Sequence, residues 1–311
     1  MSLADRLILG LRGSRPGDER LERDLDACAE AGVVGVVLFE KDIRSGEVRN
    51  VESPTQVAEL IAHVRERLGD VVVSIDQEGG RVARLKPSAG FAPLPSPVDL
   101  ATMPVDERRG VLDASCAEMA RLGITLNFAP GVDVAVNPDG PVMAALGRCF
   151  SADPSVVAEV AGDVIDAHVL HGITPCLKHF PGHGSANEDS HHALPDVTDV
   201  WQRDIELAPF KAFAQRDDLA IMTAHLVHRD LDPDRPASLS KPITTGLLRS
   251  ELGFRGTIVT DSLDMAGARV GMTLSQTLRR AADAGADWLL HGCNSALDEF
   301  AADVIAAAND A

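Results

Sequence analysis

The strongest constraint on the fold is a rhythm. Short runs of β-branched and aliphatic residues recur at 7–11, 33–39, 71–76, 125–128, 174–178, 219–224, 257–260 and 287–291, with stretches of helical period between them. Four junctions repeat one pattern of helix end, glycine and strand start: Glu30-Ala31-Gly32-Val33, Arg121-Leu122-Gly123-Ile124, Leu170-His171-Gly172-Ile173 and Asp283-Ala284-Gly285-Ala286. Glycine there accepts the left-handed C-cap conformation that other residues resist. Helices are expected over 18–31, 53–68, 106–122, 153–171 and 273–284, the second capped by Ser53 with Pro54 in its first turn. Near-continuous apolar strands separated by helices are parallel strands buried on both faces, and eight such units predict closure into a single α/β barrel of the (β/α)₈ TIM type. The alternative is a doubly wound open sheet. Polar residues separate the two readings, because they fall at the carboxyl ends of several different strands: Asp76-Gln77-Glu78, Asn127, Lys178-His179, His225 and Asp261. A barrel gathers those ends around one mouth. The proline-rich stretch 86–104 reads as an ordered βα loop, since the alternation continues on both sides of it.

Charge narrows the partners. The 47 acidic residues outnumber the 29 basic ones, giving a net charge of −18, and no Lys/Arg cluster exists to lie against phosphates or an anionic bilayer. Neither nucleic acid nor a membrane is expected as a partner. The five cysteines, Cys28, Cys116, Cys149, Cys176 and Cys293, are odd in number and scattered, which suggests neither a disulfide framework nor a structural zinc site. The early apolar stretch 7–11 is too short for the core of a signal peptide, so a cytoplasmic location is expected.

The densest chemistry lies in Leu177-Lys178-His179-Phe180-Pro181-Gly182-His183-Gly184-Ser185-Ala186-Asn187-Glu188-Asp189-Ser190-His191-His192. Four histidines, a lysine and two carboxylates in sixteen residues are not core filler. A metal site competes for this segment, because His179, His183, His191 and Asp189 are all ligand types. Against it, Lys178 would repel a cation, and Gly10-Leu11-Arg12 stands where metal-dependent barrel hydrolases usually place a His-x-His pair. The segment Ser74-Ile75-Asp76-Gln77-Glu78-Gly79-Gly80-Arg81-Val82-Ala83-Arg84 offers two carboxylates and two arginines just past a strand, with solvated loop ion pairs as the plain alternative. Asp261 ends another strand, placed either to attack an electrophilic carbon or to cap the following helix.

Together these segments resemble glycoside hydrolase family 3, and within it the single-domain bacterial β-N-acetylglucosaminidases (β-hexosaminidases). The resemblance runs from Val71–Arg81 through Lys178-His179-Phe180-Pro181-Gly182-His183-Gly184 to Ile258-Val259-Thr260-Asp261-Ser262-Leu263. It implies a retaining, two-step mechanism with Asp261 as nucleophile. It also implies His191 as acid and base, oriented by Asp189; a histidine with a pKa of about 6.5 serves both roles near neutrality. Asp76, Arg84, Arg148, Lys178 and His179 would bind the sugar's hydroxyl and N-acetyl groups, while His183 would hold the loop and His225 would support the mouth. No metal and no cofactor is implied. The expected activity is release of terminal N-acetylglucosamine from glycosides such as peptidoglycan fragments, by a protein working as a monomer. β-Glucosidase and phosphorylase activities remain as alternatives on the same scaffold. From other classes come a non-catalytic sugar-binding barrel and a metal-dependent hydrolase.

The sequence also departs from the family pattern. Thr260-Asp261-Ser262 replaces the usual Ser-Asp-Asp, His192 stands where a Lys often follows, and the loop 40–52 is longer than expected. The stretch beyond Asp261 suffices for the last units of a barrel, so one barrel domain is expected over 1–311, with the proton shuttle supplied by the barrel itself. The absence of Tyr and the presence of only two Trp suit a pocket that holds one sugar by hydrogen bonds and charge rather than by stacked rings.

Overall fold

A computed structural model describes residues 3–42, 44–188, 194–269, 271–294 and 300–311. The described residues form ten strands: β1 Leu7–Gly10, β2 Gly35–Leu38, β3 Val72–Ile75, β4 Gln77–Gly79, β5 Val82–Ala83, β6 Leu126–Asn127, β7 Thr174–Phe180, β8 Ala220–Thr223, β9 Thr257–Thr260 and β10 Leu289–His291. Eight of them form one parallel sheet in the order β10-β1-β2-β3-β6-β7-β8-β9. The remaining seam closes through a parallel bridge between Val259 and Trp288, with Thr260 N–H donating to the Trp288 carbonyl at 3.1 Å. The sheet is thus a nearly closed barrel of TIM type, as the alternation predicts, and not an open doubly wound sheet.

All eight expected strands occur, one of them, Thr257–Thr260, with the expected bounds and seven with shifted ends. The 33–39 run shortens to Gly35–Leu38, the 287–291 run begins only at Leu289, and β7 extends two residues further than expected, to Phe180. The expected helices appear as Glu19–Ala31, Pro54–Leu68, Val105–Leu122, Pro154–Leu170 and Leu274–Ala284. Asp18, Ser53, Asp153 and Thr273 each cap a helix by accepting from a first-turn N–H, which satisfies donors that have no partner inside the helix. The proline-rich stretch is an ordered connection carrying a short helix, Pro97–Thr102. Between β7 and β8 lie two short helices, Arg203–Glu206 and Ala208–Phe213, and between β8 and β9 a wide-turned π-helix, Pro242–Glu251. Helical periodicity over such short or overwound pieces is too weak to mark them in the sequence.

The strands divide the core in two. Ile8, Val37, Leu126, Cys176, Met222, Val259 and Leu290 pack together inside the barrel, while their neighbours Leu7, Leu9, Val36, Leu38, Leu177, Ile221 and Ile258 pack under the helices. Because side chains alternate along a strand, the position two residues on from three of these lines the mouth, and Val37 leads to Phe39. Cys176 leads to Lys178 and Val259 to Asp261. The fold thereby converts a period of two into a ring of functional side chains.

Candidate active site

The mouth holds a cavity of about 480 Å³, lined among others by Asp76, Glu78, Arg84, Arg148, Lys178, His179, His183, Asp261 and Asp264. Six of the residues singled out from sequence therefore share one site: Asp76, Arg84, Arg148, Lys178, His179 and Asp261. Asp189 and His191 lie outside the described residues, as do Ser190, His192 and Ala193.

One side of the cavity is a buried ion network. Lys178 Nζ lies 2.9 Å from Asp76 Oδ1 and 2.6 Å from Glu78 Oε1. Arg84 Nη2 reaches Asp76 Oδ2 at 3.0 Å, and Arg148 grips Glu78 with two hydrogen bonds, at 2.9 and 2.8 Å. Burial alone would raise both acids, but Lys178 and Arg84 hold Asp76 down at about 2, and Arg148 and Lys178 hold Glu78 well below the carboxylate range. The cations gain as well. Burial opposes their charge, yet the facing carboxylates raise the pKa of Lys178 and of Arg148. Both acids are therefore ionised at neutral pH and can only accept hydrogen bonds.

Glu78 reaches the network through a hairpin that the sequence reading did not resolve. β4 and β5 pair antiparallel across Gly79 and Gly80, which sit at φ of +105° and +56°. A Cβ on Gly79 would lie 2.0 Å from the Pro95 carbonyl, so the close approach of the two loops requires glycine. Behind the hairpin, Asn127 accepts from Gln77 N–H at 2.9 Å and donates to the Gln77 carbonyl at 3.0 Å. Its amide also meets His168 Nε2 at 2.9 Å, while His168 Nδ1 lies 2.7 Å from the Val164 carbonyl. Burial pushes the His168 pKa down to about 4, so the ring is neutral, with Nδ1 donating and Nε2 accepting.

His179 and His183 share a carboxylate that sequence reasoning missed. Asp133 Oδ2 meets His179 Nδ1 at 2.7 Å, and Asp133 accepts the backbone N–H of His183 at 2.6 Å. Burial would raise Asp133, but His179 outweighs it and the net shift is downward. This backbone contact ties the loop at His183 to Asp133, and His183 also lines the cavity. Its pKa is pushed down to about 4, by burial first and then by His179. The same loop passes so close to the β6 side that a Cβ on Gly184 would sit 1.7 Å from the Val134 carbonyl.

The other side of the mouth belongs to β9 and β10. Asp261 Oδ1 accepts from Ser262 N–H at 2.7 Å, and the Asp261 N–H donates to the Thr223 carbonyl at 2.9 Å. Asp264 accepts from Ser262 Oγ at 2.5 Å and from Asn294 N–H at 2.8 Å. The family's second acid beside the nucleophile is absent from position 262, yet Asp264, three residues after Asp261 in the turn that follows β9, adds a carboxylate to the cavity. Its spacing from Asp261 is the signal that could have found it. His225 is fully buried beneath, with Nδ1 2.7 Å from Ser238 Oγ and Nε2 2.9 Å from the Ser262 carbonyl. It supports the Asp261–Ser262 turn without lining the cavity. Among the described residues no group of three or more His, Cys, Asp or Glu is arranged to hold a metal ion. No described helix is long and apolar enough to cross a membrane.

Comparison with known proteins places these features. The family model for the glycosyl hydrolase family 3 N terminal domain matches residues 20–308. A β-hexosaminidase of Pseudomonas aeruginosa (strain LESB58) is 38% identical over 262 residues, spanning 82% of this chain and 74% of that protein. A β-hexosaminidase of Idiomarina loihiensis is 37% identical over 283 residues, spanning 88% and 81%. The solved structure of a glycoside hydrolase family 3 β-N-acetylglucosaminidase from Paenibacillus sp. str. FPU-7 superposes with a TM-score of 0.86 at 32% identity, covering 99% of this chain and 57% of that one. A β-N-acetylhexosaminidase from Beutenbergia cavernae DSM 12333 gives 0.83 at 27% identity, covering 99% and 91%.

Proposed function

We propose, since the chain belongs to glycosyl hydrolase family 3 and is a glycoside hydrolase acting on O-glycosyl bonds, that it releases terminal β-linked N-acetylglucosamine with retention of configuration. The observation that carries this reading is the convergence of Asp261 and the Asp76/Arg84/Lys178/Arg148/Glu78 network on one cavity. Its volume lies toward the small end for ligand sites, which suits one sugar and the start of its aglycone rather than an extended chain. Asp76 and Glu78 stay ionised and accept from sugar hydroxyls. The buried Arg84 Nε has no hydrogen-bond partner among the described residues, so a ligand oxygen would satisfy it. The N-acetyl specificity is drawn from the β-N-acetylglucosaminidase and β-hexosaminidase relatives. Peptidoglycan fragments are the natural substrates in this reading, with the protein acting as a cytoplasmic, single-barrel monomer.

In the first step Asp261 attacks the anomeric carbon while His191, oriented by Asp189, protonates the departing oxygen. In the second, the same histidine takes a proton from water, which displaces the aspartyl ester. The test is an aryl glycoside panel on wild type and Asp261→Ala, with a slow fluorinated substrate to trap the ester for peptide mapping. The expected results are turnover of 4-nitrophenyl N-acetyl-β-glucosaminide, loss of it in Asp261→Ala, and a trapped sugar on the Asp261 peptide. Turnover of the β-glucoside with the glucosaminide untouched sinks the substrate assignment, and undiminished rates in Asp261→Ala sink the nucleophile. His191→Ala should lose far more on poor leaving groups than on aryl ones, because protonation matters least where the leaving group is already stable. A flat leaving-group dependence removes His191 as the acid.

A further inference from the structure

The three residues that follow β10, Gly292-Cys293-Asn294, pack against the chain that follows β9. Cys293 sits at a φ of +54°, and among the described residues it is the one non-glycine at positive φ. Such a backbone is strained and persists only where its surroundings hold it. Two buried arginines that the reaction itself does not use hold it from outside. Arg49 donates to the Gly292 carbonyl at 2.8 Å and to Asn294 Oδ1 at 2.6 Å, and Arg12 donates to the Cys293 carbonyl at 2.6 Å. β1 comes so near that a Cβ on Gly10 would lie 2.2 Å from the Gly292 carbonyl. On the inner side the segment turns its donors the other way. Gly292 N–H donates to Ser262 Oγ at 2.8 Å and Asn294 N–H to Asp264 Oδ2 at 2.8 Å.

Ser262 is gripped at every polar group it has. Its hydroxyl donates to Asp264 Oδ1 at 2.5 Å while accepting from Gly292, and its carbonyl accepts from His225 Nε2 at 2.9 Å. Its own N–H donates to Asp261 Oδ1 at 2.7 Å. A serine hydroxyl is otherwise a rotor with three staggered positions, and Asp264 selects the one that also meets Gly292. Burial would raise the Asp264 pKa, but His291 first, and then the bonds from Ser262 and Asn294, bring it below the usual carboxylate range. Asp264 is therefore ionised at neutral pH and can only accept.

We propose that Asp264 is a positioning residue for the nucleophile, acting through Ser262, with the segment Gly292-Cys293-Asn294 as the frame against which both are set. The proposal rests on the reading of Asp261 as nucleophile given above. The Asp261 backbone is tied to β8 through its N–H on the Thr223 carbonyl, but the direction of its carboxylate is set by the Ser262 N–H. Attack on an anomeric carbon tolerates little error there, since a misplacement of about 1 Å can cost on the order of 10²-fold in rate. The chain has serine where the family pattern has a second acid, and the carboxylate two residues on reaches back to that serine's hydroxyl.

The test measures kcat and KM for 4-nitrophenyl N-acetyl-β-glucosaminide on the full chain, with thermal midpoints alongside. The variants are Asp264→Ala, Asp264→Asn, Ser262→Ala and the Ser262→Ala/Asp264→Ala double. Asp264→Ala should lower kcat by roughly 30-fold to 100-fold and leave KM within about threefold. Asp264→Asn keeps an oxygen that accepts from Ser262, so it should return to within about tenfold of wild type. Ser262→Ala should match Asp264→Ala, and the double variant should be no slower than either, because both changes break one link. Losses that add in the double variant overturn the positioning role. A loss confined to KM also overturns it and makes Asp264 a substrate contact. An Asp264→Asn as slow as Asp264→Ala overturns it too, since the charge and not the hydrogen bond is then what counts. Should Asp264→Ala fail to fold, Asp264→Asn set against Ser262→Ala carries the comparison: the first fast and the second slow is the expected result, and the reverse overturns it. Undiminished turnover in Asp261→Ala removes the nucleophile reading and the positioning role with it. Loss in Asp261→Ala beside full activity in Asp264→Ala and Ser262→Ala removes the positioning role alone.

Discussion

The two halves of the barrel mouth hold their carboxylates by different means. On the β3–β7 side, Asp76 and Glu78 are each clamped by two cations, and the whole cluster is buried. On the β9–β10 side, Asp261 accepts from a backbone N–H and Asp264 from a hydroxyl and a backbone N–H. The difference is one of task. A group that only receives hydroxyl hydrogens gains from a fixed charge whose cost of burial is offset by partners, whereas a group that must form and release a covalent bond cannot be clamped by a lysine at both oxygens. The first half should therefore answer mutation mainly through stability and KM, and the second mainly through kcat.

Asp261→Asn gives the largest expected effect. It should lower kcat by a factor on the order of 10³–10⁵ while the thermal midpoint barely moves, because the amide retains an oxygen to accept from Ser262 N–H. A large loss of stability with only modest loss of kcat would abolish the division between the halves. Glu78→Gln comes next and should show the opposite profile. It leaves Arg148 and Lys178 buried with a neutral neighbour, at a cost of about 3–5 kcal/mol in urea unfolding. Acid should act on the same side. Asp76 and Glu78 have folded pKa values below their ordinary 3.8 and 4.5, so their stabilisation is present above those values and is lost as pH falls toward about 2. Smaller again is Asn127→Ala, which strips both backbone partners from Gln77 and the amide from His168, for about 1–3 kcal/mol. Because that change acts through the hairpin bearing Glu78, it should raise KM more than it lowers kcat in steady-state assays. An unchanged KM would mean that the hairpin stands without the Asn127 contact.

The contrast between the halves also explains what was legible in the sequence. The eight strands were readable because both of their faces are buried, which leaves continuous apolar runs, and the helix starts because Asp18, Ser53, Asp153 and Thr273 are chemically suited caps. Asp76, Lys178 and Asp261 were readable as polar residues ending such runs. Their partners were not. Glu78 meets Arg148 across 70 residues and His179 meets Asp133 across 46, and no local pattern encodes which distant charge a buried charge will find. Asp133 and Asp264 look, in sequence, like any loop acid. The hairpin β4–β5 escaped notice because its strands span only three and two residues. The proton shuttle was read from the Asp189-Ser190-His191 motif, and its place relative to Asp261 lies outside the described residues.

A further carboxylate tests the rule at its limit. Glu206, fully buried under the loop that follows β7, takes Gln202 N–H at 3.2 Å where Asp76 takes two cations. Burial drives its pKa up to about 7 against the help of Ser185 and Gln202. Its side chain packs against Gly182, where a Cβ would meet Glu206 Cβ at 2.7 Å, so it braces the start of the segment leading to Asp189 and His191. The sign of its pH effect is opposite to that of Asp76. A carboxyl whose folded pKa is raised contributes stability below its unfolded value of 4.5 and loses that contribution as pH rises through about 7. Glu206→Gln removes the titration. It should match wild type near pH 4.5 and exceed it at pH 8.5 by about 1–2 kcal/mol, less than the full shift because the amide brings a second hydrogen that needs a partner. Thermal midpoints of the two proteins across that range provide the check. If the curves run parallel, burial without a cation does not govern Glu206, and the low pKa values on the β3–β7 side need a cause other than Lys178, Arg84 and Arg148.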